Sequence, residues 1–257
     1  MNRKILEVEG LCKDFGGLRA IADLSFYVKE GEIFSIIGPN GSGKTTLFNV
    51  ITGFLAPTKG KITFKGEDIS HLKPFTIAQK GIARTFQITS IFGRETVLEN
   101  IKIGCRLRAK APLLGTLINS RSFQEEEKIA QEKAADILNF IGLTEKRNVL
   151  ASTLTQEAQK RLSIGMALAT EPCLLLLDEP TGGVNLKEIN DLISLIARIN
   201  DQGITIVLIE HKMKVAMELP QRVMVLSYGQ KIAEGKPADV GKDRRVIEAY
   251  LGKSYVA

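Results

Sequence analysis

No apolar run in this chain approaches the roughly 18 residues that a bilayer-spanning helix requires, and no secretory leader is expected ahead of the first strand pattern. A membrane-embedded protein is therefore not expected. Cysteine is scarce. Cys12, Cys105 and Cys173 are odd in number and match no metal-ligand spacing, which argues against a zinc module and suits free thiols in a reducing cytosol. No block of Lys or Arg is long enough to demand nucleic acid or anionic lipid. Lys plus Arg (35) exceed Asp plus Glu (29) for a formal net charge of +6, but that balance reads as solvated surface, and no nucleic-acid partner is expected. Internal repeats and low-complexity tracts are absent, which sets repeat arrays aside. What remains is ordinary globular material: 257 residues, 44% hydrophobic and 25% charged, enough for one large domain or two small ones.

The most informative stretch is IFSIIGPNGSGKTTLFNV, residues 33–50. Ile33-Phe34-Ser35-Ile36-Ile37 has the length and β-branching of a buried parallel strand. Gly38-Pro39-Asn40-Gly41-Ser42-Gly43-Lys44-Thr45 then fits G-x-x-x-x-G-K-[ST] at every fixed position, with Thr46 opening the amphipathic run to Thr52. The glycines allow the backbone to curl its N–H groups toward phosphate oxygens. Lys44 supplies a point charge for the β- and γ-phosphates, Thr45 a hydroxyl for Mg²⁺, and the following helix a positive N-terminal end. The chain is expected to bind a nucleoside triphosphate.

Around this stretch, Ile5–Glu9, Ala22–Val28 and Lys61–Lys65 alternate like half-buried strands and suggest an antiparallel arm on an α/β core. Between the first two, Lys13–Gly17 reads as a turn carrying Phe15. Gly81–Gln87 reads as a short strand ending at Gln87. From about Phe92 to Thr170 the pattern turns helical; Gln124–Gly142 places Ala130, Ala134, Ile137, Leu138 and Ile141 on one face, with Gly142 at the C-terminal cap. Leu113–Ile118 is apolar and flanked by Arg106, Arg108, Lys110 and Arg121, fitting helix packing or a surface for a membrane partner. Cys173–Leu177 is another apolar strand, ending in Asp178-Glu179, where open parallel sheets bind ligands. A helix over Leu186–Ile199, a strand over Ile204–Ile209 ending in Glu210-His211, strand-like Arg222–Leu226 and Lys231–Ala233 about a Tyr228-Gly229 turn, and a last helix near Arg245–Leu251 complete the reading.

The order of a glycine-rich loop, Gln87, Asp178-Glu179 and His211 resembles the ATP-binding cassette family, over nearly the whole chain. The resemblance implies an α/β fold: a P-loop (RecA-like) nucleoside triphosphatase core with an antiparallel β arm, in residues 1–90 and 170–257, and an inserted helical subdomain in residues 91–169. It implies ATP and Mg²⁺ as ligands. Asp178 would hold Mg²⁺ with Thr45 and Gln87, Glu179 would act as general base toward the attacking water, Gln87 would contact that water, and His211 would contact the γ-phosphate. Phe15 stands where the family places an aromatic ring against adenine, with core packing of the arm as its other reading. Pro180–Asn185 resembles the D-loop. This set suits phosphoryl transfer to water, where positioning and electrostatic stabilisation dominate.

There is one cassette, no long coiled coil and no N-K-x-D guanine motif, so a freestanding transporter ATPase is the simplest reading. Arg84-Thr85-Phe86-Gln87, Ile209-Glu210-His211 and Val246–Gly252 resemble the branched-chain amino acid importer ATPases; lipopolysaccharide-export cassettes share much of the pattern, and a regulatory or nucleic-acid-linked cassette is the reading from another class. Integral membrane permease subunits, a solute-binding protein acting indirectly, and a place on the cytoplasmic face of the membrane are implied. One departure stands out. The family's L-S-G-G-Q is here Leu154-Thr155-Gln156-Glu157-Ala158, with Thr155 a plausible N-cap. Family signatures act in trans across a cassette dimer, and Glu157 places negative charge where phosphate approaches. The expectation is a pair with a different ATPase subunit, one site competent and one impaired, and little activity from this chain alone.

Overall fold

The computed structural model describes residues 3–85, 91–106 and 121–251. In chain order it runs β1 (Lys4–Phe15), β2 (Leu18–Lys29), β3 (Ile33–Ile37), α1 (Lys44–Ile51), β4 (Lys59–Phe64), β5 (Glu67–Asp68), α2 (Pro74–Gln79) and β6 (Ile82–Arg84). It continues with α3 (Val97–Arg106), α4 (Arg121–Phe140), α5 (Gln156–Leu168), β7 (Leu174–Asp178), α6 (Leu186–Asp201) and β8 (Thr205–Ile209). It closes with α7 (Met213–Glu218), β9 (Arg222–Ser227), β10 (Gln230–Gly235), α8 (Pro237–Val240) and α9 (Arg244–Leu251). Among the described residues no helix is long and apolar enough to cross a membrane.

The chain forms two compact units. The first comprises Met1–Arg84, Cys173–Pro180 and Ile193–Ala257 and contains both sheets. Its larger sheet has the order β10-β9-β3-β8-β7-β6, with β9, β3, β8, β7 and β6 parallel and β10 an antiparallel edge. Every residue of β3, β7 and β8 is buried, as parallel strands covered on both faces require. Because these strands are parallel neighbours, their carboxyl ends lie side by side. The smaller sheet is antiparallel, β2-β1-β4-β5. Its β1–β2 hairpin is longer than the alternation suggests: the strands run on to Phe15 and resume at Leu18, so the turn is only Gly16-Gly17. Register shifts absorb the breaks in apolar periodicity that hide these strand ends in the sequence. Phe26 of β2 stacks on Phe34 of β3 with centroids 5.7 Å apart, so the arm and the parallel sheet share one apolar cluster.

The second unit comprises Thr85–Pro172 and Thr181–Leu192. In α4 the expected apolar face is present: Ala130, Ala134 and Leu138 are buried, Ile137 is half-buried, and Ile141 is buried just past the helix, with Gly142 at φ +73° closing it. Ion pairs join Lys102 and Arg106 of α3 to Glu127 of α4, that of Arg106 at 2.7 Å. The apolar segment Leu113–Ile118, with Arg108 and Lys110, lies outside the described residues. The strand expected to end at Gln87 stops at Arg84, three positions earlier in its pairing with β7 (Arg84 opposite Leu176).

Leu176 is the middle residue of β7, paired with β6 on one side and β8 on the other, with no exposure. Leu176→Ala should cost about 3 kcal/mol through a cavity that rigid neighbouring strands cannot collapse. Urea unfolding should then give a lower midpoint at an unchanged slope.

Candidate functional site

The loop between β3 and α1 is held open by constraints only glycine meets. At Gly38 φ is +152°, and a Cβ there would lie 2.0 Å from the Leu226 carbonyl oxygen; at Gly43 φ is +103°, and a Cβ would meet the Ala20 carbonyl at 2.6 Å. The turn between β9 and β10 supports the loop from outside, with the Gly229 N–H donating to the Ser42 carbonyl at 3.0 Å and the Ala22 N–H donating to the Gly229 carbonyl at 2.9 Å. Pro39 is half-buried, while Asn40, Gly41 and Thr45 are exposed. Gly43 caps α1 with no side-chain hydrogen bond and no acidic residue lies in the first turn, so the positive end of the helix is left to a ligand.

Lys44 is the charge at the centre of the loop and is only 5% exposed. Its Nζ donates to the carbonyls of Gly38 (2.7 Å) and Pro39 (2.9 Å) and lies 3.3 Å from Ser42 Oγ. Burial pushes its ammonium below the ordinary lysine value, and the nearby carboxylates of Glu179 and Asp178 pull it back up. These carboxylates sit at the carboxyl end of β7, two strands from β3 in the sheet. Asp178 is buried, and its Oδ2 accepts from Arg84 Nη2 at 2.8 Å.

Glu179 follows at φ +48°, a backbone region that costs a non-glycine residue strain and turns the chain sharply out of the strand. Its N–H donates to the Ile209 carbonyl at 2.9 Å, tying the turn to β8. Its carboxylate lies 2.9 Å from His211 Nε2, past the end of β8. Sequence reasoning overlooked what holds that histidine: Glu210, 2% exposed, accepts from the backbone N–H groups of His211 (3.2 Å) and Lys212 (3.4 Å). A carboxylate directly after the apolar run Ile206–Ile209 was the available signal.

Lys44, Asp178, Glu179 and His211 are thus brought together at one edge of the sheet. Thr45, in the first turn of α1, adds an exposed hydroxyl on the same loop. Phe15 ends β1 and is 44% exposed, with Lys13 Nζ 5.1 Å from its ring centroid, so it is not a core residue of the arm. Its hairpin meets the phosphate loop through Ala20. Gln87 lies outside the described residues.

Among the described residues no cluster of three or more His, Cys, Asp or Glu could hold a metal alone. The Thr45 hydroxyl and the Asp178 carboxylate are hard oxygen donors, and a pair of this kind fits Mg²⁺ that takes its remaining ligands from water and phosphate.

The signature region lies in the second unit. Thr155 caps α5, accepting from the Ala158 N–H at 3.4 Å. Gln156 Oε1 lies 2.7 Å from where a Cβ on Gly183 would stand, and Gly183 has φ +77°, so the D-loop-like segment packs closely on Gln156 at a glycine-favouring position. Glu157 does not present a bare charge: it is paired with Arg161 one turn along, and Arg161 also donates to the Ile141 carbonyl at 3.2 Å. The repulsion expected from Glu157 is therefore reduced, while its bulk remains.

A family model described as ABC transporter matches residues 21–182, and one described as Branched-chain amino acid ATP-binding cassette transporter matches residues 230–256. The high-affinity branched-chain amino acid transport ATP-binding protein BraF of Pseudomonas aeruginosa is 41% identical over 99% of this chain and 100% of its own length. LivG of Escherichia coli, of the same description, is 40% identical with the same coverage. Two solved structures, a nucleotide-free ATP-binding cassette from an ABC transporter and a cassette in its ADP conformation, each 36% identical, superpose with TM-scores of 0.86 and 0.85 over 98% of this chain and 100% of theirs.

Since the Phe15 ring is exposed at a strand end, Phe15→Ala should leave the melting temperature almost unchanged and weaken ATP affinity by about 1 to 2 kcal/mol, a stacking-sized loss. Early melting with normal ATP affinity, read by calorimetry and nucleotide titration, would withdraw the stacking assignment.

Proposed function

The chain belongs to the ABC transporter family of ATP-binding cassettes, and from that premise we propose that it is the Mg²⁺-dependent ATPase subunit that powers a membrane importer of branched-chain amino acids. The observation that carries the reading is the convergence of Lys44, Asp178, Glu179 and His211 at the carboxyl ends of β3, β7 and β8. The chain is an ATPase by family. In the proposed assignment the loop N–H groups and Lys44 bind the β- and γ-phosphates, and Phe15 stacks on the base. Thr45 and Asp178, with Gln87, would hold Mg²⁺, which would supply charge neutralisation at the phosphate oxygens. Glu179 accepts a proton from water as the water oxygen bonds to the γ-phosphorus and the bridging bond to ADP breaks, leaving ADP and inorganic phosphate. His211, 2.9 Å from Glu179, keeps that carboxylate oriented and contacts the γ-phosphate.

The partners follow from the same premise. Integral membrane permease subunits receive the movement, with the cassette peripheral on the cytoplasmic face and a solute-binding protein delivering the amino acid from the other side. Residues 91–169 act as the helical subdomain of the cassette. A second, different ATPase subunit supplies an unaltered signature to this chain's phosphate loop. The Gln156-Glu157 replacement of two glycines supports that pairing: paired with Arg161 or not, Glu157 places a side chain where backbone would approach phosphate.

Three measurements test this. Glu179→Gln should keep ATP binding and lower turnover of the assembled transporter at least a hundredfold, about 3 kcal/mol in barrier; substantial turnover would remove Glu179 from the role of base. The purified chain alone, at dimer-favouring concentrations, should hydrolyse ATP slowly, and a Gln156→Gly, Glu157→Gly variant should be faster. Brisk turnover of the unmodified chain, unchanged by restoring the glycines, would sink the mixed-pair reading, and a pull-down from native membranes without integral membrane subunits would sink the transporter assignment.

A further inference from the structure

Asp178 is 1% exposed and its partner Arg84 5% exposed, so this pair is a buried charge pair inside the first unit. A carboxylate so far from water needs a counter-charge whenever no cation is present, and Arg84 provides it at 2.8 Å. The other arm of the guanidinium reaches α1: Nη1 donates to Asn49 Oδ1 at 2.7 Å and lies 3.4 Å from Thr52 Oγ1, and the group stands 5.4 Å from the Phe48 ring centroid. Phe48, Asn49 and Thr52 follow Thr45 at helical spacings that place all four on one face of α1. Arg84 therefore spans the helix that carries the Thr45 hydroxyl and the strand that carries the Asp178 carboxylate.

We propose that Arg84 is a positioning residue for the metal half of the nucleotide site, a strut that fixes the Asp178 carboxylate relative to the helix face bearing Thr45. This rests on the reading of the site as one for magnesium nucleotide. The planar guanidinium holds two acceptors in fixed directions at once, which a lysine ammonium on a flexible stem cannot reproduce. Asn49 is part of the same device, since it anchors the end of the strut on α1. Neither residue touches the phosphates in this account; both act through Asp178.

The test uses the full chain and fluorescent mant-ADP, titrated in excess EDTA and again in excess Mg²⁺. The ratio of the two dissociation constants is the metal's contribution to binding. In Arg84→Lys, which keeps the charge but loses the fork, the EDTA value should stay within about twofold of the unmodified chain while the advantage given by Mg²⁺ falls about tenfold or more, the loss typical of removing a partner that orients a metal ligand. Asn49→Leu, which leaves the Arg84–Asp178 pair intact, should shift the ratio in the same direction and decides the matter if Arg84→Lys does not fold. An unchanged Mg²⁺ advantage in the folded variants, or equal weakening with and without metal, overturns the strut. If the unmodified chain binds mant-ADP equally well in EDTA and Mg²⁺, the magnesium-nucleotide reading fails and the strut falls with it.

Discussion

An ammonium group stripped of most of its water must be given oxygens, and the site depends on how Lys44 is given them. Its Nζ is held by carbonyls of its own loop, close enough to Glu179 and Asp178 to feel both carboxylates. That arrangement exists only because three all-buried parallel strands end side by side, each delivering one charge-bearing turn. The apolar sheet is thus the condition for the polar edge: it excludes water from behind the charges, so that they act on one another and on phosphate rather than on solvent.

Much of this was legible in the sequence because buried parallel strands leave little choice. Short, nearly continuous apolar runs followed by glycine or a carboxylate mark both the strand and its functional end, and Ile33–Ile37 and Leu174–Asp178 lie within one residue of their expected limits. The amphipathic face of α4 was equally readable, since Ala130, Ala134 and Leu138 form a buried stripe while Lys128, Ile129, Gln131, Glu132 and Lys133 are exposed. The hairpin of β1 and β2 was underestimated because bulges interrupt its two-residue period, and strand identity there comes from pairing rather than from local pattern. The four-stranded extent of the arm, with β5 only Glu67–Asp68, had no periodicity to reveal it.

What sequence could not give was the partner of each charge. Arg84 read as one letter of a family-like string, yet its significance lies in bonds to Asp178 and Asn49, residues far from it in the chain. Glu157 read as bulk and a negative charge facing phosphate, and the i, i+4 pairing with Arg161 changes its electrostatic weight without changing its size. Both cases have the same physical origin. Side-chain pairing is decided by packing geometry after the backbone is placed, whereas strands and helices are prefigured by local alternation.

The sheet order has a consequence for how the chain comes into being. Strand β3, which carries the phosphate loop, has as its neighbours β8 and β9, both encoded far toward the C-terminus. While the chain emerges from the ribosome, β3 therefore has neither of its ladders until most of the polypeptide has been made. The Leu226 carbonyl that shapes the loop arrives with β9 itself, and the Gly229 N–H just after it. Contacts so distant in sequence close slowly and against a large loop entropy. A ribosome-bound fragment ending before β8 therefore carries the nucleotide-binding letters without either of the strands that flank β3 in the finished sheet.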